Sequence, residues 1–145
     1  MLAGGLRYHE RVTTQTYKGS CACRRVRFEV ALDLSEGTYK CNCTSCWKRR
    51  WWSVRGRPED FRVLEGAPDL TARGGSSRPG GFCKHCGTHI YEHVAADAWN
   101  DGAFVSINVA CLDDLAPADL AAAPVQYFDG RADDWWSTPR ETRHL

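Results

Sequence analysis

The sequence predicts a mainly β, single-domain protein with short helices, and three observations point to this fold class. Val26, Phe28 and Val30 alternate with charged residues, which is the pattern of a half-buried strand. Other short apolar segments are bounded by turn residues, as at residues 35–37. The 145 residues suffice for one hydrophobic core, and they contain no fixed-period repeat and no linker that would separate two domains.

The chain divides into three parts by its apolar pattern. Residues 1–16 carry little of that pattern and are predicted to form an N-terminal arm. Residues 17–136 form the predicted domain, and residues 137–145 a C-terminal tail. Within the domain, residues 73–81 are rich in glycine, serine and proline, which predicts a surface loop.

The predicted elements of the domain are mostly short strands. Helix is expected as one turn over residues 47–50 and again over residues 112–123, where Pro117 limits its regularity. Strands are expected in eight segments: 26–30, 38–40, 51–54, 61–63, around 70, 90–94, 104–109 and 125–128.

Composition restricts the class of function. The formal net charge is +1, whereas a general binder of nucleic acid or of a membrane surface is normally strongly basic. No apolar run approaches the roughly 18 residues of a membrane span, and the N-terminus shows no apolar signal segment. Eight cysteines indicate a reducing compartment, where clustered thiols bind metal more often than they form disulfides. We therefore expect a cytoplasmic protein without a membrane or nucleic-acid partner.

Seven of the eight cysteines fall into three groups: Cys21/Cys23, Cys41/Cys43/Cys46 and Cys83/Cys86. Extended backbone places residues i and i+2 on one face, so the sulfurs of the first pair can reach one metal ion. The last pair forms a zinc-knuckle pattern, in which Gly87 permits the positive φ that turns backbone N–H groups toward the sulfurs. The economical partition joins the two pairs into one closed, structural zinc site with the ligands Cys21, Cys23, Cys83 and Cys86.

The remaining group of three cysteines is one ligand short of the four that a structural zinc prefers. We predict that Cys41, Cys43 and Cys46 bind a second zinc with one open position, which is typical of a catalytic or ligand-binding centre. Two alternatives stay open: the thiols bind no metal, or a histidine completes a second closed site, with the candidates His85, His89 and His93. We interpret these histidines as surface or hydrogen-bonding residues and Cys111 as a small buried hydrophobe.

The order and spacing of four motifs resemble one protein family from about residue 17 to residue 136. The motifs are Gly19-Ser-Cys-x-Cys23, Cys41-x-Cys-x-x-Cys46, Phe82-Cys-x-x-Cys-Gly-Thr88 and Leu112-Asp-Asp114. They resemble the glutathione-dependent formaldehyde-activating enzymes, a family that includes the centromere protein V branch. The resemblance implies a β-tent fold, a structural zinc on the two cysteine pairs and a catalytic-type zinc on the group of three.

The sequence departs from the usual family pattern at three places. Arg24 stands where a glycine usually follows the first Cys-x-Cys, which we interpret as a change without structural consequence. Arg50, Trp51 and Trp52 stand where a small, glycine- and serine-rich stretch usually follows the group of three, beside the expected pocket. Cys111 takes a position before the Leu-Asp-Asp motif that is commonly small or hydroxylated.

An open three-thiolate zinc suits a thiol substrate, because a soft metal position matches thiolate sulfur and lowers the pKa of a bound thiol. The expected reaction makes or breaks a carbon–sulfur bond, as in S-hydroxymethylglutathione, the adduct of glutathione and formaldehyde. The residues after Cys46 are candidate contacts for the glutathione carboxylates and candidate residues of the pocket wall: Lys48, Arg49, Arg50 and Trp51. Asp113 and Asp114 are expected to cap the following helix.

Two other functions fit the same residues. In the first, two zinc ions shape a non-catalytic module, and the basic residues 48–57 bind a protein or a nucleic acid. The near-neutral charge weakens the nucleic-acid version. In the second, the chain is a glutathione carrier that binds the thiol without turnover. Metal analysis, thiol binding and formaldehyde consumption distinguish the three functions.

Overall fold

The computed structural model describes residues 14–145. This part of the chain contains ten strands: β1 (Gln15–Ser20), β2 (Arg27–Leu32), β3 (Thr38–Cys41), β4 (Trp52–Gly56), β5 (Phe61–Glu65), β6 (Leu70–Thr71), β7 (Gly80–Cys83), β8 (His89–Val94), β9 (Phe104–Asn108) and β10 (Val125–Phe128). Two short helices, α1 (Thr44–Arg49) and α2 (Pro117–Ala122), accompany them, together with a few 3₁₀ turns. The prediction of a mainly β fold with short helices is confirmed.

The ten strands form two sheets. The smaller sheet has the order β1-β2-β5, and the larger has the order β10-β3-β4-β9-β8-β7-β6. Neighbouring strands are antiparallel except β10, which runs parallel to β3. The first strand begins at Gln15, inside the segment predicted as an arm. Residues 1–13 of that arm lie outside the described residues.

The hydrophobic core lies between the two sheets. Phe28, Val30 and Leu32, on one face of β2, are almost completely buried, as the alternation of residues 26–30 predicted. Gly56 on β4 shows how closely the sheets approach, because a Cβ built there would come within 2.9 Å of Val30 Cγ2. The two sheets therefore pack against each other over one shared core, as expected for a β-tent fold.

The first cysteine pair lies in a turn, so the prediction of extended backbone there was wrong. The Cys21 N–H donates to the Val26 carbonyl (3.1 Å), and the Arg24 N–H donates to the Cys21 carbonyl (2.9 Å). Arg24 has a φ of 63°, in the left-handed region that favours glycine. The turn, rather than an extended segment, places Cys23 near Cys21.

The helix after the Leu-Asp-Asp motif is shorter than predicted. It spans only Pro117–Ala122, with the proline in its first turn, where its missing N–H costs nothing. The expected capping by the two aspartates was also wrong, because both carboxylates bind β1 instead. Asp114 accepts a hydrogen bond from the Lys18 N–H (3.1 Å), and Asp113 accepts one from Ser20 Oγ (2.6 Å). The motif therefore ties the last third of the chain to the first strand.

The other local predictions agree with the structure within a few residues. The helical turn expected over residues 47–50 is α1, which begins earlier, and the strand expected at 51–54 is β4, which begins one residue later. Cys111 is 3% exposed and belongs to the core, as interpreted from the sequence. Neither α1 nor α2 has the length or the apolar character to cross a bilayer, and the same holds for every helix in the described part of the chain.

Candidate metal sites

The first site lies where two hairpin turns meet, one from each sheet. Cys21 and Cys23 occupy the turn between β1 and β2, while Cys83 ends β7 and Cys86 lies in the turn to β8. All four sulfurs lie within 4.8 Å of one another, and Cys23 Sγ is 3.6 Å from Cys21 Sγ and 3.7 Å from Cys83 Sγ. A tetrahedral zinc with Zn–S bonds of about 2.3 Å holds its sulfurs roughly 3.8 Å apart. The four cysteines therefore fit a zinc ion.

Backbone and hydroxyl groups support this four-sulfur site. Gly87 has a φ of 75°, as the knuckle pattern predicted, and its N–H donates to the Cys83 carbonyl (2.7 Å). Thr88 Oγ1 lies 3.2 Å from Cys86 Sγ and accepts a hydrogen bond from the Ala22 N–H (3.1 Å). The threonine hydroxyl thus joins the two turns independently of the sulfurs.

The second site lies at one end of the seven-stranded sheet. Cys41 ends β3, Cys43 is the N-cap of α1, and Cys46 lies in the first turn of that helix. Their sulfurs lie within 4.8 Å of one another. The Cys43 N–H donates to Cys41 Sγ (3.3 Å), and the Cys46 N–H donates to Cys43 Sγ (3.4 Å). Such hydrogen bonds favour the ionised sulfurs that a metal requires. With this spacing, the three sulfurs fit three of the four ligand positions of a tetrahedral zinc ion.

No histidine or carboxylate within residues 14–145 joins these three sulfurs at that spacing. His85 Nε2 lies 2.6 Å from an Asp69 carboxylate oxygen, and His93 packs edge-on against neighbouring aromatic rings. His89 Nδ1 lies 2.8 Å from the Arg49 guanidinium. The histidines are therefore hydrogen-bonding and packing residues, as interpreted from the sequence, and none completes a closed second site.

As free thiols, Cys41 and Cys46 of the second site differ in the direction of their pKa shifts. The pKa of Cys41 is lowered to about 6, because the Cys46 thiol and the N–H groups of Cys43 and Gly130 donate to its sulfur against the effect of burial. The contact with Cys41, together with burial, raises the pKa of Cys46. The sulfurs cannot all ionise easily side by side, and a divalent cation removes that conflict by binding all three.

The segment after β10 packs directly against the second site. Asn42 is 8% exposed and holds this segment with its amide. Its Nδ2 donates to Asp129 Oδ1 (2.7 Å), and its Oδ1 accepts a hydrogen bond from the Arg131 N–H (2.9 Å). Gly130 lies between these anchors, and a Cβ built there would come within 2.7 Å of Cys41 Sγ. The sulfur itself leaves no room for a side chain at this position.

Gly130→Ala is expected to weaken metal binding at the second site alone. The added methyl group displaces the Cys41 sulfur or the segment that donates to it, and disturbing such supporting contacts typically costs roughly 10- to 100-fold in metal affinity. Zinc content after dialysis against a competing chelator measures the effect, with loss of one zinc expected. Gly74→Ala is the control, because a Cβ there meets nothing within 4 Å. Unchanged zinc retention in Gly130→Ala would contradict this role of the segment.

A cavity of about 170 Å³ lies beside the second site. Two of the cysteines line it together with basic, aromatic and C-terminal residues: Lys40, Cys41, Cys46, Trp47, Arg50, Trp51, Trp52 and Leu145. The segment predicted as a tail closes one side. Lys40 Nζ donates to the main-chain oxygen of Leu145 (2.9 Å), and Arg50 Nη1 donates to that of His144 (2.6 Å). Two cations at the cavity are thus bound to oxygens that a ligand could replace.

The four predicted substrate contacts take different positions. Arg50 and Trp51 line the cavity. Arg49 is half-buried beside the sulfurs, with Nη2 3.9 Å from Cys46 Sγ. Lys48 is exposed and does not belong to the cavity wall. The structure therefore brings three of the four residues to the second site.

Sequence reasoning missed two residues that lie at the second site, Lys40 and Gly130, and it did not predict the contact of His89 with Arg49. Lys40 directly precedes the cysteines, so its proximity was an available signal; burial and the charge of Arg50 lower its pKa. Gly130 and His89 are far from the cysteines along the chain, and no local pattern marks either of them. Only the folded sheet brings these two positions beside the sulfurs.

Comparison with known proteins shows which family carries this arrangement. Residues 16–130 match the family model of the glutathione-dependent formaldehyde-activating enzyme. The chain belongs to this family. A crystal structure of a Rhodobacter sphaeroides protein is also similar, with a TM-score of 0.59 and 29% sequence identity over 75% of this chain and 99% of the other. The resemblance inferred from the cysteine motifs is confirmed.

The glutathione-dependent formaldehyde-activating enzyme family relates this chain to the chemistry of glutathione and formaldehyde. Both cysteine clusters that the family pattern implies are assembled, and both could hold metal ions. All eight cysteines are free of disulfides, so seven sulfurs are available as ligands.

Proposed function

We propose that this chain is a zinc-dependent enzyme that makes or breaks the carbon–sulfur bond of a glutathione–formaldehyde adduct such as S-hydroxymethylglutathione, or of a related thiol adduct. In the reaction classes this is a carbon–sulfur lyase, or a synthase in the reverse direction. One observation carries the proposal. The three sulfurs have no fourth protein ligand among residues 14–145, and two of the three cysteines, Cys41 and Cys46, line a cavity together with the cations Lys40 and Arg50. That arrangement suits an exogenous anionic sulfur ligand.

The proposed reaction needs little acid–base machinery from the protein. In the direction of synthesis the thiol sulfur attacks the carbonyl carbon of formaldehyde, the π electrons move to oxygen, and the proton lost from sulfur ends on that oxygen. Cys41, Cys43 and Cys46 would hold the zinc, which would supply a Lewis-acidic position that favours the thiolate form of the substrate. The side chains around the cavity then have two tasks, which are to orient the thiol and to restrict water.

We assign carboxylate recognition to Lys40 and Arg50. Both side chains already donate to main-chain oxygens of the C-terminal segment, at 2.9 Å and 2.6 Å. A carboxylate of glutathione carries a full negative charge, so it forms a stronger hydrogen bond with Arg50 than the neutral His144 carbonyl does. Substrate binding would thus replace the C-terminal segment at these positions. Lys48, which is exposed and does not line the cavity, contributes only to the surrounding charge in this assignment.

Aromatic rings form the rest of the wall. Trp52 is fixed by a hydrogen bond from Nε1 to Thr38 Oγ1 (2.8 Å), and Trp51 by one from Nε1 to Ser106 Oγ (3.3 Å). Because both indole N–H groups are already satisfied, the rings present apolar surface to the cavity. Restricting water in this way strengthens the interactions of Lys40 with an anionic ligand.

The proposal includes two zinc ions per chain, one in each cysteine cluster, and a cytoplasmic location. The donor sets support zinc, because four thiolates suit a closed structural site and three suit an open one. The free state of all eight cysteines agrees with a reducing compartment.

The test combines metal analysis with kinetics. A zinc-loaded preparation should contain two zinc ions per chain and should accelerate the formation of S-hydroxymethylglutathione from glutathione and formaldehyde, followed by NMR against the spontaneous rate. Lys40→Met should raise the KM for glutathione roughly tenfold, because the variant loses one charge-assisted hydrogen bond to the substrate. Lys48→Met removes the same charge from an exposed position and should leave KM unchanged.

Other outcomes identify the alternative functions. Glutathione binding to a two-zinc protein without acceleration would indicate a carrier, and the proposed enzyme would be rejected. One zinc per chain, with the three cysteines of the second site freely alkylated, would remove both the enzyme and the carrier.

A further inference from the structure

Arg49 is held beside the second site by three contacts. Its Nε donates to Ser45 Oγ (3.3 Å), its Nη1 lies 2.8 Å from His89 Nδ1, and its guanidinium sits over the Trp51 ring, 5.0 Å from the centroid. These contacts direct Nη2 toward Cys46 Sγ, 3.9 Å away. Burial lowers the pKa of Arg49, but a guanidinium keeps its proton throughout the neutral range. A fixed positive charge therefore lies against one sulfur of the site.

His89 is itself held in place by Glu92, which lies at the edge of the ring opposite Arg49. Guanidinium groups only donate, so His89 Nδ1 accepts from Arg49 and the ring proton resides on Nε2. Nε2 is buried and lies 3.3 Å from Glu92 Oε1, an ion-pair distance without hydrogen-bond geometry. Glu92 is 3% exposed and is bound by Arg73 (3.1 Å) and Arg78 (3.5 Å). This row of side chains, with the buried Glu92 at its centre, fixes the position of the Arg49 guanidinium.

Glu92 is a permanent anion in this row. Burial acts to raise its pKa, but contacts with His89 and Arg73 outweigh that effect and lower the pKa to about 2. On the other side, the His89 ring stacks on Trp51 with centroids 4.3 Å apart. The imidazole is therefore constrained on its face by Trp51 and at Nδ1 by Arg49.

The net charge of the metal and its thiolates determines how the Arg49 guanidinium affects ligand binding at the second site. Three thiolates exceed the charge of a divalent ion by one, and a fourth thiolate would raise the excess to two. A neutral ligand adds no charge. A cation in contact with a metal-binding sulfur stabilises the more negative state more strongly, because their attraction grows with the charge. The difference between anionic and neutral ligands should therefore depend on Arg49.

We propose that Arg49, positioned by His89, makes the second site select anionic sulfur ligands over neutral donors. This inference rests on the proposed function, since it requires an exogenous ligand on the metal held by the three cysteines. It extends that function by separating two kinds of recognition. Lys40 and Arg50 bind carboxylates of the substrate, whereas Arg49 responds to the charge of the ligating atom itself.

Calorimetric titration of the zinc-loaded protein tests the inference with two small probes that lack carboxylates. The probes are 2-mercaptoethanol, which binds as a thiolate, and imidazole, which binds as a neutral donor. Arg49→Gln should weaken 2-mercaptoethanol binding by roughly 10- to 100-fold and imidazole binding by less than about threefold. Lys48→Gln removes the same formal charge from the adjacent, exposed position and should change neither affinity.

His89→Phe provides a second variant with a different perturbation. It keeps an aromatic ring on Trp51 but removes the acceptor for Arg49, so thiol affinity should fall several-fold while imidazole affinity and the content of two zinc ions stay constant. Equal loss for both probes, or normal thiol affinity in both variants, would overturn the inference and leave the proposed function intact. A wild-type protein with two zinc ions that binds neither probe would instead reject the proposed function, and the inference with it.

Discussion

Cys83→Ser is expected to leave the chain largely unfolded at neutral pH. Cys83 has no exposed surface, and its sulfur belongs to the group that joins the turn between β1 and β2 to the turn between β7 and β8. Because those turns come from different sheets, this site fixes one sheet against the other. Structural zinc contributes on the order of 10–16 kcal/mol to folding in zinc-finger peptides, as much as the roughly 5–15 kcal/mol that stabilises a whole domain.

The substitution removes a thiolate and leaves a hydroxyl, which is a poor ligand for zinc. We expect a loss of at least about 4 kcal/mol in the free energy of unfolding, measured by urea denaturation with circular dichroism and tryptophan fluorescence. Metal analysis of the same sample should show that the zinc of the four-sulfur site is lost.

Cys111→Ser is the matched control for this experiment. Cys111 is also buried, at 3% exposure, but it belongs to neither cluster. Its sulfur lies 3.8 Å from the His89 carbonyl, so a serine hydroxyl would find an acceptor nearby. We expect a loss of about 1–3 kcal/mol, the cost of burying a hydroxyl in the core, with both zinc ions retained. A Cys83→Ser protein as stable as this control would contradict the structural role of the first site.

The sequence was most informative where the chemistry depends on short spacings. The knuckle at residues 83–87 and the group of three at residues 41–46 are each closed by a local turn, so their assembly follows from a few backbone angles. The pairing of the first and last cysteine pairs followed from counting ligands. The strand around Val30 was predictable because one buried face repeats every second residue.

Local reasoning failed where a tertiary contact competes with a local one. Asp113 and Asp114 have the composition of a helix cap, but partners on β1 take their carboxylates and the helix begins later, at Pro117. Arg24 adopts a left-handed φ because the turn around the first cysteine pair requires it, although the side chain gives no sign of this.

The surroundings of the second site could not be predicted for the same reason. His89 reaches Arg49 across 40 positions of the chain, and the C-terminal oxygens reach Lys40 and Arg50 across 105 and 94 positions. No pattern within a short window carries such information. The cysteines of the second site and the proximity of Arg49 and Arg50 were therefore predictable, whereas the distant partners that position these cations were visible only in the fold.

Cys43→Ser is expected to have the opposite phenotype to Cys83→Ser, with the fold retained and the activity lost. Cys43 is the N-cap of α1, where its sulfur accepts a hydrogen bond from the Cys46 N–H (3.4 Å). Serine is among the best N-cap residues, so its hydroxyl can take over this hydrogen bond and keep the helix. The metal site, by contrast, falls from three thiolates to two.

Two thiolates hold zinc too weakly for a stable open site, so the variant should contain one zinc per chain and bind 2-mercaptoethanol no longer. Lewis-acid stabilisation is worth several kcal/mol, and its loss should lower the rate of S-hydroxymethylglutathione formation at least about 100-fold, toward the spontaneous rate. The urea midpoint should stay close to that of the wild-type protein, because the four-sulfur site shares no cysteine with the group of three and remains complete. If Cys43→Ser unfolded as readily as Cys83→Ser, or kept both zinc ions with full activity, the division between a structural and a reactive site would be wrong.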